Sequence, residues 1–292
     1  MQLALSNSVN TPDYCPESRY ATKYANFNGS DSKALVNDLG RLPSLLAGGT
    51  GTIGDNVSFA MWVKATWSIP DSPADAVVNA IPFFMLGSDT DVHESFRCYY
   101  MIEDGSANNK NDLIIEIRTT SPGNARQVDI ARLSSNTSIT GSTSSAHSAM
   151  WRSGNTNINT NADGFVHLAF TRGTGEWSIY WNGQSMSLID NDSGSLNTST
   201  SEYDSFSLGF FEYSNLYGQL GMRDFAIWNE ELSATEVGKL YNFGVITDYT
   251  DLIATEPLLH YPLQADGNDV IGRIASGTTL NFTLSNVTFE DI

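Results

Sequence analysis

The run from 219 to 228 (QLGMRDFAIW) constrains the fold more than any other part of the chain. Two sets of side chains alternate along it: Leu220, Met222, Asp224, Ala226 and Trp228 against Gly221, Arg223, Phe225 and Ile227. A period of two is typical of a β-strand, and bulky residues in both sets from Phe225 onward indicate packing on both faces. The run therefore predicts a strand of a sheet that is covered on both sides.

A short helix is predicted directly after this strand. Ser233 stands three residues before Glu236, the spacing of a capping box at a helix N-terminus. Apolar side chains then fall on one face at 237, 240 and 241. Gly244 can adopt the left-handed conformation that ends a helix. The predicted helix spans 233–242.

The remaining chain predicts many short strands separated by turn residues. The clearest runs are 59–64, 82–86, 96–102, 113–119, 127–133, 165–172, 177–181 and 206–211. Asn182 and Gly183 separate two apolar runs, and both residues tolerate the positive φ of a two-residue hairpin turn. Short strands with frequent turns and one helix predict an all-β protein with two packed sheets.

Four stretches, taken in order, resemble the motifs of laminin-G-like, concanavalin A-like jelly-roll domains. They are 24–31 (YANFNGSD), 57–64 (VSFAMWVK), 165–183 (FVHLAFTRGTGEWSIYWNG) and the strand-helix run 219–244. The resemblance covers roughly residues 20 to 245. It implies a two-sheet antiparallel jelly-roll sandwich, and it implies that a loop at the sheet edge can hold calcium.

We expect three parts in the chain. Residues 1–20 contain two prolines and no periodicity, which predicts an extended N-terminal arm, and 21–245 form the jelly roll. Residues 246–292 form a linker and a C-terminal β extension, with one or two strands in 281–289, that joins the sandwich or reaches a neighbour. The polar insert 134–164 is predicted to be a long loop.

The charge excludes several partners. The chain has 33 acidic and 15 basic side chains, a formal net charge of −18, which repels phosphate backbones and anionic membranes. The sequence has no apolar run of about 20 residues for a bilayer span and no secretory signal, so we expect synthesis in a cytoplasm. Cys98, in a strand-like run, is predicted to be a buried hydrophobe, and a disulfide with Cys15 is not expected in a reducing compartment.

Catalysis is not predicted. Retaining glycan hydrolases need two carboxylates about 5 Å apart, and Glu116 stands alone on its predicted strand. None of the four histidines has a nucleophile setting, and His167 is expected to make a structural hydrogen bond inside the sandwich.

Two kinds of binding site are predicted. For calcium there are two acid-rich loops, 88–91 (SDTD) and 266–269 (DGND), whose residue types also occur in ordinary tight turns, and the preferred ligands are Asp266, Asn268 and Asp269. For a sugar the aromatic candidates outside the predicted core are Trp67, Trp151, Tyr213 and Tyr217. The other tryptophans that fall on predicted strands (Trp62, Trp177, Trp181 and Trp228) are expected to be core residues. For Trp151 the favoured interpretation is a plug that pins its loop to the sandwich, and a platform for a sugar or a partner is the alternative.

The favoured function at this stage is a non-enzymatic decoration or attachment protein of a virion. The order of jelly roll, linker (GVITD, 244–248) and C-terminal segment 257–272 resembles virion proteins of tailed bacteriophages. The partners would be other virion proteins, contacted through the arm or the C-terminal extension, and the sequence leaves self-association open. The alternative is a carbohydrate-binding module for adsorption to host glycans, and glycan hydrolysis is the weakest of the three hypotheses.

Overall fold

A computed structural model describes residues 23–37, 56–66, 80–87, 95–101, 112–120, 126–133, 164–173, 176–186, 188, 190–191, 205–243, 253, 256–268 and 280–291. These residues form eighteen strands and one α-helix. The strands are β1 (Lys23–Asn28), β2 (Lys33–Asn37), β3 (Asn56–Ala65), β4 (Ala80–Gly87), β5 (Ser95–Met101), β6 (Asp112–Thr120), β7 (Arg126–Leu133), β8 (Val166–Gly173), β9 (Glu176–Trp181), β10 (Gln184–Ser185), β11 (Asp190–Asn191), β12 (Ser205–Leu208), β13 (Phe210–Phe211), β14 (Leu216–Tyr217), β15 (Gln219–Trp228), β16 (Leu259–Tyr261), β17 (Thr283–Ser285) and β18 (Thr288–Asp291). The helix α1 spans Ala234–Phe243, and a 3₁₀ turn spans Glu212–Ser214.

Two antiparallel sheets of eight strands make up the fold, which confirms the predicted all-β, two-sheet sandwich. One sheet, which we call the helix-covered sheet, has the order β10-β9-β8-β3-β15-β1-β18, with β16 also paired to β15. The other, the hairpin-covered sheet, has the order β11-β7-β6-β5-β4-β12-β2-β17. The short strands β13 and β14 pair only with each other and form a hairpin over the second sheet.

Aromatic side chains fill the space between the sheets. Phe59 on β3 stacks on Phe84 of the opposite sheet with 4.7 Å between ring centres, and Phe84 meets Phe225 edge-on at 5.3 Å. Phe96 contacts both Phe59 and Trp177. These rings are all buried, and their contacts join the layers from several strands at once. The interior is the apolar core that the alternating strands predict.

The alternation predicted for β15 is wrong in its second half because a bulge interrupts the strand. Pairing with β3 runs from Arg223 opposite Trp62 directly to Ala226 opposite Ala60, so one extra residue is inserted. Asp224 sits at this point with φ 58. The insertion moves Phe225 and places it, rather than Asp224, in the core. Ala226 and Trp228 then face the outer side of the sheet, where Val237 and Leu240 pack against them.

Helix α1 covers the outer face of its sheet. Val237 and Leu240 pack with Trp228, Ala169 and Tyr180 in a separate apolar cluster. The predicted capping box is present, since the Ser233 N–H and Oγ donate to Glu236 Oε2 at 2.8 and 2.7 Å. The Glu236 N–H donates back to the Ser233 hydroxyl at 3.3 Å. The predicted helix is confirmed, while Gly244 lies outside the described residues. No helix in the described part of the chain is long and apolar enough to cross a bilayer.

The C-terminal residues belong to both sheets. β16 pairs with the second half of β15, while β1 pairs with its first half. β17 pairs with β2 in the hairpin-covered sheet, and β18 pairs with β1 in the helix-covered sheet. The prediction of one or two strands in 281–289 is therefore confirmed. In the described segments 256–268 and 280–291, the extension completes the sandwich of its own chain.

Asp224 and His260 form a buried hydrogen-bonded pair at the bulge. His260 Nε2 contacts Asp224 Oδ1, and their side chains are 0% and 4% exposed. The Asp224 N–H also donates to the carbonyl of Pro262 at 3.1 Å. Both contacts join β15 to the segment that carries β16.

We predict that this pair stabilises the fold. Asp224→Asn keeps a residue that tolerates positive φ but removes the charge, so it should cost about 1–3 kcal/mol in the free energy of unfolding. Asp224→Ala should cost about 1 kcal/mol more, because alanine is less favourable in the left-handed region. Equilibrium urea unfolding measures both.

Asp291→Asn is the matched control, since Asp291 lies in an exposed pair with Lys23 at 3.9 Å. We expect a change of less than about 0.5 kcal/mol for it. An Asp224→Asn variant as stable as this control would contradict the role of the pair.

Candidate functional site

The outer face of the hairpin-covered sheet carries a row of side chains across six strands. Direct cross-strand partners are, in order, Glu116, Arg97, Met85, Ser207, Leu35 and Thr283. Their neighbours along each strand point into the core, so this row faces away from it. Apart from Arg97 and Glu116, each residue of the row is either apolar or carries a hydroxyl group.

Arg97 and Glu116 form a buried ion pair on this face. Arg97 Nε donates to Glu116 Oε1, and the side chains are only 5% and 1% exposed. The Arg97 guanidinium carbon also lies 5.5 Å from the centre of the Tyr99 ring and 5.7 Å from that of Phe211. A buried ion pair adds little net stability over apolar residues of the same size. Here it fixes the position of two aromatic rings.

The β13–β14 hairpin lies above this pair. Phe211 meets Tyr99 edge-on at 5.8 Å and packs with Met85, Ala80 and Ile114. The predicted strand 206–211 is broken at Gly209, whose φ is 66 and where a Cβ would lie 2.4 Å from the Phe27 ring. Because the chain turns there, Phe210 and Phe211 leave the sheet and form the first strand of the hairpin.

The rim of the hairpin combines a half-exposed aromatic ring with polar groups. Tyr217 is half-buried, and its ring centre lies 4.7 Å from that of Phe210. Lys33 Nζ lies 4.6 Å from the centre of the same Phe210 ring. Ser214 and Asn215 are exposed at the tip. A ring held in place beside hydrogen-bonding groups can bind a ligand that has an apolar face and polar edges.

Glu212 is the first residue of the 3₁₀ turn in this hairpin. Its Oε2 atom is buried, and no hydrogen-bond partner for it exists among the described residues. We call Arg97, Tyr99, Glu116, Phe211, Glu212 and Tyr217 the hairpin-side cluster. The buried members support the hairpin from below, while Tyr217 lies on its second strand.

The predicted sugar-binding residues fall into two groups. Tyr213 lies in the 3₁₀ turn and Tyr217 on β14, so the structure brings both to one hairpin. Trp67 and Trp151 lie outside the described residues, as do the polar insert 134–163 and the N-terminal arm. The sequence did not indicate Glu212, Phe211 or the pairing of Arg97 with Glu116. Its one signal was that Arg97 and Glu116 each stand between apolar residues within their strands, in the runs FRC (96–98) and IEI (115–117).

The predicted calcium loop is described in part. Asp266 and Asn268 are exposed, and the Asp266 carboxylate accepts hydrogen bonds from the Asn268 backbone N–H at 3.1 Å and side-chain Nδ2 at 2.7 Å. Asp269 lies outside the described residues. Within those residues, no group of three or more His, Cys, Asp or Glu side chains is placed to hold a metal ion. The calcium site stays a prediction.

His167 lies in a different place from the one predicted. Its strand neighbours Val166 and Leu168 point into the core, so His167 faces outward under helix α1, next to Trp62 at 5.1 Å and Tyr241 at 6.1 Å. Its Nδ1 atom has no hydrogen-bond partner among the described residues. Burial lowers the pKa of His167 from 6.5 to about 3, so the ring is neutral at ordinary pH.

The residues expected in the interior are buried. The four strand tryptophans, Trp62, Trp177, Trp181 and Trp228, are at most 2% exposed. Cys98 is a free thiol in the core, and burial raises its pKa well above the usual value. Cys15 lies outside the described residues.

No protein-family model and no curated relative matches the chain. Solved structures of similar fold include a putative carbohydrate binding protein from Bacteroides ovatus ATCC 8483, with 15% identity, 93% of this chain and 60% of that protein covered, and a TM-score of 0.48. A heptameric SAP-like pentraxin from Limulus polyphemus is 10% identical to this chain. The match covers 93% of this chain and 95% of the pentraxin chain, with a TM-score of 0.43. The Ruminococcus gnavus IT-sialidase CBM40, bound to alpha2,3 sialyllactose, is 11% identical to this chain. The match covers 75% of this chain and 97% of the CBM40, with a TM-score of 0.41. This chain thus spans 60% of the length of the Bacteroides protein, and the identities and TM-scores are too low to carry a function across.

We predict that His167 makes stability fall in acid. The pKa of His167 is lower in the folded state than in the unfolded state. Its contribution to the free energy of unfolding is therefore complete above pH 6.5 and is lost as pH falls from 6.5 toward 3. The slope contributed by one proton is about 1.4 kcal/mol per pH unit. Urea unfolding of the wild type and His167→Leu at several pH values measures it.

The difference in unfolding free energy between the two proteins should shrink or reverse with falling pH, because leucine does not titrate. Carboxylates contribute equally to both proteins and cancel in this difference. Parallel stability curves across this range would contradict the assignment.

Proposed function

We propose that the chain is a non-enzymatic carbohydrate-binding module, and that its ligand lies on the rim of the β13–β14 hairpin. The single observation that carries this proposal is the position of Tyr217, a half-buried tyrosine whose ring centre lies 4.7 Å from that of Phe210, on the hairpin whose tip exposes Ser214 and Asn215. A sugar ring offers an apolar C–H face to an aromatic side chain and hydroxyl groups to polar ones. The rim provides both kinds of contact.

The buried pair below the rim supports this role. Binding sites need contact residues that are held in place by a second layer of side chains. Arg97 contacts both Tyr99 and Phe211, and Glu116 holds Arg97. Phe211 directly precedes Glu212, so the ion pair of Arg97 and Glu116 fixes the start of the 3₁₀ turn Glu212–Ser214.

Catalysis is not part of the proposal. Glu116, the acid singled out on its strand, is buried and engaged by Arg97. His260 is buried in its pair with Asp224, and His167 is buried and neutral. The described residues therefore support binding by shape and hydrogen bonds.

Attachment to a tailed-phage particle stays a prediction from the sequence. The arm at 1–20 lies outside the described residues. The described C-terminal strands pair with β1, β2 and β15 of the same chain, so no observation favours their use as an attachment device. The virion location and the virion partners stay predictions with it.

We predict that Tyr217→Ala weakens glycan binding by about tenfold or more, equivalent to about 1.4 kcal/mol, because it removes the exposed stacking surface. Tyr217→Phe keeps the ring and should bind within a few-fold of the wild type. A glycan array identifies ligands for the wild type, and calorimetry on the best ligand measures the variants.

Tyr241→Ala is the matched control, since Tyr241 is also a half-buried tyrosine but lies on helix α1, on the outer face of the other sheet. We expect it to retain binding even where its melting temperature falls. An array without signal for the wild type at high density would overturn the proposal, and so would equal losses in Tyr217→Ala and Tyr241→Ala.

A further inference from the structure

Lys33 on β2 places a cation without an acidic partner beside the hairpin. Its strand neighbour Ala34 points into the core, so Lys33 faces outward from the hairpin-covered sheet. Among the residues that the structure describes, no carboxylate contacts this ammonium group, whose one described contact is the Phe210 ring. Lys33 is only half-buried, and a lysine of this kind keeps its charged end in water. Its ammonium group is therefore available to a ligand.

Lys33 and Tyr217 both contact the ring of Phe210. The centre of this ring lies 4.6 Å from Lys33 Nζ and 4.7 Å from the centre of the Tyr217 ring. The ammonium group and the Tyr217 ring are therefore no farther apart than the sum of these two distances, which two linked sugar rings can span. Both side chains are partly exposed, whereas Phe210 is 1% exposed. One ligand can thus contact Lys33 and Tyr217 together.

A hydroxyl group lies beside the cation on the same face. Ser285 on β17 is the direct cross-strand partner of Lys33, and it is half-buried. Because direct partners in a sheet point to the same side, the Ser285 side chain also faces outward. The ammonium group and this hydroxyl can donate hydrogen bonds to one acidic group of a ligand.

The acids that could oppose such a ligand locally are engaged or buried. Asp31, two residues before Lys33, accepts hydrogen bonds from the amide groups of Asn28 and Asn286 at 2.7 and 2.9 Å. Glu212 belongs to the hairpin, but its Oε2 atom is buried from solvent. The formal net charge of −18 acts mainly from longer distances, and salt screens it beyond about 8 Å. A single acidic group at Lys33 therefore meets a local cation, whereas a polyanion is repelled by the whole surface.

Resting on the proposed carbohydrate-binding function, we infer that the ligand is a sugar with one acidic group, which pairs with the Lys33 ammonium group while the sugar ring stacks on Tyr217. A hydrogen bond between charged partners is stronger than one between neutral groups. Because a lysine binds anionic oxygens as a point charge, a carboxylate and a sulfate ester both fit. Lys33 is then the residue that selects acidic sugars over neutral ones.

The test compares immobilised glycans that share one neutral oligosaccharide and differ in a single acidic group. One form is unmodified, one ends in a hexuronate, and one carries one sulfate ester. The wild type should bind at least one acidic form about fivefold or more tightly than the neutral form. Comparing the two acidic forms shows whether the acid group is a carboxylate or a sulfate. Added salt should weaken binding of the acidic form and leave the neutral form nearly unchanged.

Substitutions at Lys33 test its role directly. Lys33→Gln should reduce the preference for the acidic form to about onefold, because it removes the charge but keeps a hydrogen-bonding side chain. Lys33→Arg keeps the charge and should keep the preference. Retained binding of the neutral form by Lys33→Gln shows that the hairpin is intact.

Lys64→Gln is the matched control. Lys64 is also half-buried, and its Nζ atom lies 5.1 Å from the centre of the Tyr24 ring and 5.6 Å from that of Phe165. These rings belong to the outer face of the helix-covered sheet, away from the hairpin. The control should therefore prefer the acidic form as the wild type does.

The outcomes separate the two proposals. A wild type that binds none of the three forms overturns the carbohydrate-binding function itself. A wild type that binds the neutral form as tightly as both acidic forms leaves that function standing and overturns this inference. An unchanged preference in Lys33→Gln, an equal loss of all forms in that variant, or the same loss of preference in Lys64→Gln overturns the role of Lys33.

Discussion

The bulge at Asp224 is the constraint on which the rest of the sandwich depends. β15 pairs with β3 on one side and with β1 and then β16 on the other, and its side chains reach both the core and the outer face of the helix-covered sheet. One inserted residue gives Phe225 to the aromatic core and Trp228 to the apolar cluster under helix α1. Without the insertion, Trp228 would face the core and Phe225 would lie outside it. The strained residue is held because its side chain pairs with His260 and its N–H bonds to Pro262.

The two outer faces of the sandwich are covered in different ways. The helix-covered sheet carries an apolar cluster that α1 buries with Val237 and Leu240, so this face is closed by ordinary hydrophobic packing. On the other sheet a hairpin of four strand residues does the covering, and beneath it lies the ion pair of Arg97 and Glu116. Because the hairpin is short, it leaves the polar residues Ser214 and Asn215 exposed and Tyr217 only half-buried at its rim. This asymmetry is the physical reason for placing the ligand on the hairpin side.

The C-terminal segment explains how the sandwich closes. β17 and β18 follow each other in the chain but join different sheets, so the connection between them crosses one open side of the core. Phe282 packs against Tyr261 at 4.4 Å, and the Tyr24 hydroxyl donates to Glu290 at 2.6 Å. The hydrogen bond from Tyr24 to Glu290 joins residues 266 positions apart and thus ties the two ends of the described chain together. Their loss would open both sheets along the same side.

Local pattern determined much of this protein. The alternation of apolar residues, the capping box at Ser233 and the Asn182–Gly183 turn (φ 48 and 74) all involve neighbours in the sequence, so the sequence alone predicts each of them. Local pattern could not give the bulge, because whether a strand inserts a residue depends on the partner strand beside it. The same holds for the site. Tyr213 and Tyr217 were candidates by composition, but only tertiary structure decided that Arg97 pairs with Glu116 across two strands and supports Phe211. The sequence by itself determined the sandwich and its helix, since these follow from hydrophobic periodicity. Tertiary structure decided the register, and with it which polar groups share a face.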